Sequence, residues 1–399
     1  MTTVKVKFSP ASNAAEPGSI YFAITHERVT RRLATPYRLY AHEWDARRAA
    51  LAASCEQSQR LSLMARRLQL TRERLQRVIA TMAERGTAYT ADDIVSRYHE
   101  LAERLSVTAA FDAAIARLRR NAKLRTAETY ASALNSLMRY TGGCDMLLDE
   151  LSADTIEDYS GFLHRRGLVP NTISFYMRIL RAVYNRAADN GDLPDTKPFR
   201  RVYTGVDKTA KRALPLSAVQ QIKALALSDS PALDYARDMF LLSFYLRGMS
   251  FVDMAYLHKS DLVKTGYVTY RRRKTGRLLK IAWTPQMQSV VDKYGCSTTP
   301  YLLPIIDNDG GDTRRAYRNA ACRINHNLKT IGHLIGLSVP LTLYVARHSW
   351  ATAARSKGVP LSVISEGMGH RSEATTRIYL ASLDTAAVDN ANAMIIASI

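Results

Sequence analysis

The chain has 399 residues, of which 47% are hydrophobic and 23% charged, and its formal net charge is +20. This length predicts two or three domains, and the excess of positive charge indicates a polyanionic partner. No apolar run reaches the roughly 18 residues of a membrane span, and no signal peptide is predicted, so we expect a cytoplasmic protein. The four cysteines form no Cys-x-x-Cys pair, which argues against a zinc site and a disulfide framework.

Residues 1–50 are dense in strand formers and arginines. Short strands are predicted at 4–8, 20–25, 28–32 and 37–40, which together form a small basic β-sheet.

Residues 51–105 are predicted to be a helical connector. From 46 to 85 apolar residues recur at spacings of three and four, with arginines between them, which predicts a long helix. A shorter helix is predicted over 90–105, with Thr90 before its first turn. A self-association element is the alternative interpretation of these helices.

Residues 106–195 predict a compact helical bundle. Amphipathic stretches cover 111–118 and 126–140, Ser152 predicts the N-cap of a third helix, and Pro170 opens a fourth. Periodicity by itself indicates no more than a bundle.

A linker is predicted at 196–212, where prolines, a glycine and basic residues interrupt the helical pattern. Residues 213–399 then predict a mainly helical domain with one β-hairpin at 267–283. The predicted fold is therefore mainly α, with a small β-rich domain at the N-terminus.

Arg247 is the first candidate site residue along the chain. It follows an apolar helix and precedes Gly248, which can take a left-handed conformation, while Ser250 predicts a new helix start. A guanidinium at such a break can project into a cleft. The alternative is a surface arginine near the negative end of a helix dipole.

Lys274 lies directly before Thr275 and Gly276, which predict the turn of the hairpin. A hairpin tip can carry an ammonium group into a groove. The neighbouring basic residues are candidates for binding phosphates along DNA, or for a simple charged patch: Arg271, Arg272, Arg273 and Arg277.

Three further residues suit phosphate chemistry. Arg347 lies in an Arg-His-Ser-Trp motif, His370 follows Gly369, and Tyr379 comes nine residues after His370. An arginine can grip the anion, a histidine can hydrogen-bond it, and a tyrosine can attack it. His348, next to the arginine, is expected to pack behind it and is left out of the site.

These motifs, in this order, resemble the catalytic blocks of the tyrosine recombinases, the phage integrase family. The resemblance covers roughly residues 106–399 well and the first hundred weakly. It implies a SAM-like core-binding domain at 106–195 and a catalytic domain at 213–399. For residues 1–50 it implies an arm-type DNA-binding domain, with a solvated basic face as the alternative.

The resemblance also implies roles for single residues. Arg247 and Arg347 would clamp the phosphate, Lys274 would be the general acid, His370 a hydrogen-bond donor, and Tyr379 the nucleophile that forms a 3′-phosphotyrosine link. We expect no metal and no cofactor, because neither paired carboxylates nor a phosphate-binding loop accompanies the motifs.

The chain departs from the common pattern at Tyr344. The family usually has a histidine three residues before the second arginine, and Tyr344 occupies that position. A tyrosine hydroxyl can donate a hydrogen bond to a phosphoryl oxygen, but it cannot shuttle a proton near neutral pH. The acid–base role of this position is therefore in doubt.

The implied partners are double-stranded DNA, further copies of the chain in a tetrameric synapse, and accessory DNA-bending proteins, with a nucleoid-associated location. The apolar tail after Tyr379 either packs on its own domain or docks on a neighbouring protomer. The predicted function is site-specific recombination by the integrase of a mobile element. The alternatives are a DNA invertase, a type IB topoisomerase-like enzyme, and a DNA-binding regulator without catalysis.

Overall fold

The computed structural model describes residues 2–396 except 14, 53–58, 208–211, 264–265, 296–298, 307–311 and 381–395. For residues 59, 263, 378 and 379 only the backbone is described. The chain divides into two compact units, residues 1–208 and 209–399. This division lies within the linker predicted at 196–212, and the finer domain boundaries stay predictions.

An antiparallel sheet opens the first unit. Its strands lie in the order β1 (Thr3–Ser9), β2 (Gly18–His26) and β3 (Val29–Leu39). The strands predicted at 28–32 and 37–40 are one continuous strand. Pro36 is tolerated because β3 is an edge strand, and the Thr35 hydroxyl donates to the Ile20 carbonyl where the register shifts.

The predicted long helix begins later than expected. Residues 44–51 contain a short two-stranded hairpin, β4 (Trp44–Asp45) and β5 (Ala50–Leu51), and α1 covers Gln59–Glu84. The next helix, α2 (Ala91–Leu105), has the predicted N-cap: the Thr90 hydroxyl accepts from the Asp93 amide.

The bundle that follows has the predicted helices. They are α3 (Val107–Arg120), α4 (Leu124–Tyr140), α5 (Ala153–Arg165) and α6 (Pro170–Asp189). Ser152 caps α5 by accepting from the Thr155 amide, as expected from the sequence. Arg74 of α1 is buried and pairs with Asp149 and Glu150 of the bundle, so α1 packs against it.

The second unit is mainly helical, with one small sheet. Its elements are α7 (Leu216–Ala224), α8 (Pro231–Tyr245), α9 (Phe251–Ala255), β6 (Leu262–Val263), β7 (Tyr267–Arg271), β8 (Leu278–Ala282), α10 (Pro285–Tyr294), α11 (Thr313–Leu334), α12 (Leu343–Ser356), α13 (Leu361–Gly367) and α14 (Glu373–Tyr379). Helix α8 is almost wholly apolar on its inner side and packs against α11 and α12. The predicted hairpin is β7–β8, to which β6 adds a third strand. The predicted fold class is confirmed.

Candidate active site

The C-terminal end of α8 presents Arg247 at a sharp break in the chain. Arg247 and Gly248 have φ values of +57° and +71°, and the Gly248 amide donates to the Ser243 carbonyl at 2.8 Å. A Cβ on Gly248 would lie 2.7 Å from the Cα of Arg347. Only glycine fits this position, because it takes the left-handed conformation and lets α12 approach the break.

Arg347 is 4% exposed and links three segments of the second unit. Its Nη1 donates to the Gly248 carbonyl at 2.6 Å, and its Nη2 donates to the Met368 carbonyl at 2.7 Å. The side chain of Arg247 lies against the same segment, because a Cβ on Gly367, the neighbour of Met368, would be 3.7 Å from the Cδ of Arg247. The structure therefore brings Arg247 and Arg347 together at the ends of α8 and α13.

His370 supports the second arginine. Nη2 of Arg347 lies 2.9 Å from its Nε2, and the Thr376 hydroxyl lies 2.8 Å from its Nδ1. A guanidinium only donates, so Nε2 accepts and the proton sits on Nδ1, bonded to Thr376. The imidazole is therefore neutral and orients Arg347. The phosphate-donor role predicted from the sequence would need a proton on Nε2, and it stays a prediction.

The electrostatics agree with a neutral ring. Burial, followed by the charges of Arg347, Arg272 and Lys274, lowers the pKa of His370 to about 3. Protonation would place a further positive charge, almost fully buried, beside these cations, which is the physical reason for the shift.

A dependence of stability on pH follows from this shift. Between pH 3 and 6.5 the unfolded chain binds a proton at residue 370 that the folded chain does not bind. The free energy of unfolding should therefore fall as pH drops through this window, by up to about 1.4 kcal/mol per pH unit, and be constant above it. In His370→Gln the amide oxygen can still accept from Arg347. The free energy of unfolding, measured with urea, should fall between pH 7.5 and pH 5 by about 2 kcal/mol less in this variant than in the wild type. An equal pH dependence in both proteins would contradict a neutral His370.

Tyr379 is the last residue of α14, and its side chain lies outside the described residues. The helix itself is held in place at two points. Thr376, one turn earlier, is fully buried and bonded to His370. Leu380 packs in a small core with Ile364 and Met368. The nucleophile assignment stays a prediction, and the docking prediction for the tail falls on residues that are not described.

Lys274 is exposed at the tip of the β7–β8 hairpin, within electrostatic range of His370. The neighbouring Arg272 is only 5% exposed, and its Nη1 donates to the Gly369 carbonyl at 2.8 Å. Arg277 donates to the His370 carbonyl. Of the basic residues predicted to bind DNA, these two therefore also make internal hydrogen bonds, and their contact with DNA stays a prediction.

Tyr344 lies one turn before Arg347 on α12 and is 52% exposed. Its ring meets His348 edge to face, with centroids 4.7 Å apart. His348 is buried, and its exclusion from the site stays a prediction. Tyr344 is therefore exposed on the same helix as Arg347, where its hydroxyl can meet a ligand.

Sequence reasoning missed the role of Asp253. Its carboxylate accepts at 2.6 Å from the hydroxyl of Ser250, the residue that the sequence predicts as a helix start. Its other oxygen accepts from the Arg273 amide at 2.9 Å, which ties α9 to the hairpin. The signal available in the sequence was an acidic residue shortly after Arg247. Thr376 was missed as well, and the available signal was its position one turn before Tyr379.

Among the residues that the structure describes, no group of three or more His, Cys, Asp or Glu residues is arranged to hold a metal ion. No helix in the same part of the chain is both long enough and apolar enough to cross a membrane.

Comparison with known proteins decides the family. Residues 217–386 match the model of the phage integrase family, and residues 106–202 match that of the phage integrase SAM-like domain. Together these ranges span two thirds of the chain.

The chain belongs to the phage integrase family of tyrosine recombinases.

Curated members of the family are similar to this recombinase over most of their length. Tyrosine recombinase XerD of Listeria innocua is 24% identical over 246 residues, which cover 58% of this chain and 78% of XerD. Tyrosine recombinase XerA of Pyrococcus furiosus is 23% identical over 253 residues, covering 61% and 82%.

Solved structures of integrases share the fold of this recombinase. A lambda integrase dimer bound to a COC′ core site has a TM-score of 0.54 at 16% identity, with 93% of each chain covered. The Tn1549 transposon integrase, in complex with circular intermediate DNA, has a TM-score of 0.54 at 16% identity, with 74% of this chain and 100% of that chain covered.

Proposed function

We propose that this recombinase breaks and rejoins duplex DNA at specific sites through a 3′-phosphotyrosine intermediate on Tyr379. The observation that carries the proposal is the position of Arg347, whose guanidinium is fixed by two carbonyls and His370 beside the break that presents Arg247. Two neighbouring arginine side chains, one of them fixed in place, suit a phosphodiester, because negative charge grows on its non-bridging oxygens as the bond is cleaved.

Cleavage and rejoining each take place by one displacement at phosphorus. The Tyr379 hydroxyl loses its proton to water as its oxygen attacks phosphorus, and the bond from phosphorus to the 5′-oxygen breaks. The Lys274 ammonium gives its proton to that oxygen and regains one from water. Arg247 and Arg347 hold the non-bridging oxygens, and His370 keeps Arg347 oriented. The phosphotyrosine retains the energy of the phosphodiester, so a 5′-hydroxyl can reverse the step without a nucleotide.

Arginine side chains take the electrostatic role that a metal ion plays in many phosphoryl-transfer enzymes. We therefore propose that cleavage needs no metal. The prediction is that the covalent adduct forms at the same rate with excess chelator as without it. Loss of the adduct in chelator, restored by added magnesium, would contradict the proposal.

The partners follow from the fold and the charge. A structural neighbour is a lambda integrase tetramer bound to a Holliday junction, and the net charge of +20 suits a long duplex. We propose double-stranded DNA as the substrate, a tetramer of this chain as the active assembly, and contacts from Arg271 and Arg273 to phosphates near the cleaved bond. Accessory DNA-bending proteins and a nucleoid-associated location belong to the same proposal.

Integration of a mobile element is the preferred activity, because its structural neighbours include two integrases over most of the chain. Recombination within one chromosome is the second candidate, since the curated relatives include XerD and XerA. An intermolecular assay with two plasmids, compared with an inversion reporter on one plasmid, separates the two activities.

The direct experiment uses nicked duplexes tiled across the genomic segment that flanks the coding region. A nick beside the cleaved bond lets the short 5′-hydroxyl strand diffuse away, so the covalent intermediate accumulates. A band that resists boiling in detergent and is lost on protease treatment is expected with one duplex sequence. Binding should also weaken steeply as salt rises, because many phosphates are contacted. Absence of any adduct, despite specific binding, would favour a regulator without catalysis.

A further inference from the structure

The tip of the β7–β8 hairpin, residues 272–277, is fastened to the rest of the second unit on both sides of Lys274. We infer that Arg272 and Arg277 are positioning residues, which hold the hairpin tip so that the Lys274 ammonium reaches the departing 5′-oxygen. The inference rests on the proposed function, in which Lys274 is the general acid.

One side of the hairpin tip is bonded to the Gly369-His370 segment. Nη1 of Arg272 and the hydroxyl of Thr275 both donate to the Gly369 carbonyl, at 2.8 and 3.3 Å, and Arg277 donates to the His370 carbonyl. Arg371 donates back to the Thr275 carbonyl at 3.2 Å. These bonds join the hairpin tip to the residue that orients Arg347.

The other side is bonded to α9, shortly after Arg247. The Arg273 amide donates to Asp253 at 2.9 Å, and the Arg273 guanidinium lies 3.9 Å from the centre of the Tyr256 ring. Asp253 is buried and also accepts from Ser250, so its carboxylate is a fixed anchor. Lys274 therefore lies between two residues, Arg273 and Thr275, that are each bonded to a different catalytic segment.

The hairpin tip is also closed internally. The Arg272 amide donates to the Arg277 carbonyl, and the Gly276 amide to the Arg272 carbonyl, both at 2.8 Å. A tight turn with external bonds on two sides fixes the backbone of Lys274. Lys274 itself is exposed, which suits a group that must reach a ligand.

Gly369 explains why the hairpin can approach so closely. Its φ is +66°, and a Cβ there would lie 2.9 Å from Leu279 and 3.2 Å from the Cδ of Arg272. A side chain at residue 369 would push the hairpin away from His370. The Gly-His motif thus serves the docking of the hairpin as well as the placement of the histidine.

Arg272 makes an internal contact that is already present without DNA. Its guanidinium is 5% exposed and donates to the Gly369 carbonyl. Arg277 is exposed but donates to the His370 carbonyl. Lys280, on strand β8 of the same hairpin, is exposed, and its ammonium lies 4.2 Å from the centre of the Tyr267 ring, outside the hairpin tip, so it is a matched control.

The test compares an ordinary cleavage site with one that carries sulfur in place of the 5′-bridging oxygen. In the first, the bond from phosphorus to oxygen breaks and the oxygen takes a proton. In the second, the bond from phosphorus to sulfur breaks and the thiolate leaves without a proton, because a thiol is far more acidic than an alcohol. A residue that acts through the general acid matters only for the oxygen substrate.

We expect Arg277→Met and Arg272→Met to cleave the oxygen substrate roughly 100-fold more slowly than the wild type, because a small displacement of a catalytic group has an effect of this size. Both variants should cleave the sulfur substrate within roughly threefold of the wild-type rate, as Lys274→Met should. The control Lys280→Met should match the wild type on both substrates. Arg277→Met is the safer variant, since its side chain is exposed and its loss leaves the core intact.

Other outcomes overturn the inference in separable ways. Equal losses on both substrates would show that the arginines act on binding or folding and not through Lys274. No loss on either substrate would leave Lys274 independent of them, while the proposed function stood. If Lys274→Met cleaved the sulfur substrate as slowly as the oxygen substrate, Lys274 would not be the general acid, and the inference would fail. Failure of the wild-type protein to form an adduct with either substrate would instead reject the proposed function.

Discussion

Replacing Arg347 with methionine is expected to lower the rate of strand cleavage roughly 1000-fold. Its guanidinium is held by the carbonyls of Gly248 and Met368 and by His370 before any substrate arrives. Such a preorganised donor contributes most in the transition state, when charge on the phosphoryl oxygens is largest. The effect should appear in single-turnover adduct formation with a nicked duplex.

Binding of DNA should change far less in the same variant. One phosphate contact among many is lost, which reduces the salt dependence of binding by about one counterion. Arg355→Met, in the last turn of the same helix, is the matched control and should cleave at the wild-type rate. A loss of binding as large as the loss of cleavage would show that Arg347 serves affinity, not the transition state.

Replacing Tyr379 with phenylalanine is expected to abolish the covalent adduct completely, with no change in binding. The change removes one oxygen, and without that oxygen no phosphotyrosine can form. Helix α14 should be unaffected, because Thr376 and Leu380 hold it and neither is altered. Denaturing gels of the protein with labelled nicked duplex measure the adduct, and a mobility shift measures binding.

Tyr344→Phe provides the comparison. Tyr344 is exposed on the helix of Arg347, so loss of its hydroxyl should remove one hydrogen bond to the phosphate and slow cleavage by roughly tenfold, while the adduct still forms. If the adduct survives in Tyr379→Phe and disappears in Tyr344→Phe, the two roles are reversed.

Much of the fold could be predicted because local signals agree with it. Thr90, Ser152 and Pro170 mark helix starts, and each is found where the pattern placed it. The turn at Thr275 and Gly276 marked the hairpin. The β3 strand was missed as a single element, because Pro36 normally ends a strand and an edge position that tolerates it is not visible in sequence.

The sequence indicated candidate site residues, whose roles stay predictions, but it did not indicate the contacts between them. Gly248 marked the break that presents Arg247, and the Gly369-His370 pair marked the second segment. The direction of the bond between Arg347 and His370 depends on residues far apart in sequence, including Thr376, so the tautomer of His370 could not be predicted. The hydrogen bonds from Arg272 and Arg277 to the Gly369-His370 segment could not be predicted for the same reason. A run of basic residues has the same sequence pattern whether it contacts DNA or the protein itself.

The central claim is that one tyrosine becomes linked to DNA beside the two arginines. The most direct measurement is mass spectrometry of the peptide that carries the nucleotide, after the trapped adduct is digested with nuclease and protease. Of the 21 tyrosines, Tyr379 alone should carry a nucleotide joined through its 3′-phosphate. A nucleotide on any other residue, or one joined through a 5′-phosphate, would contradict the account.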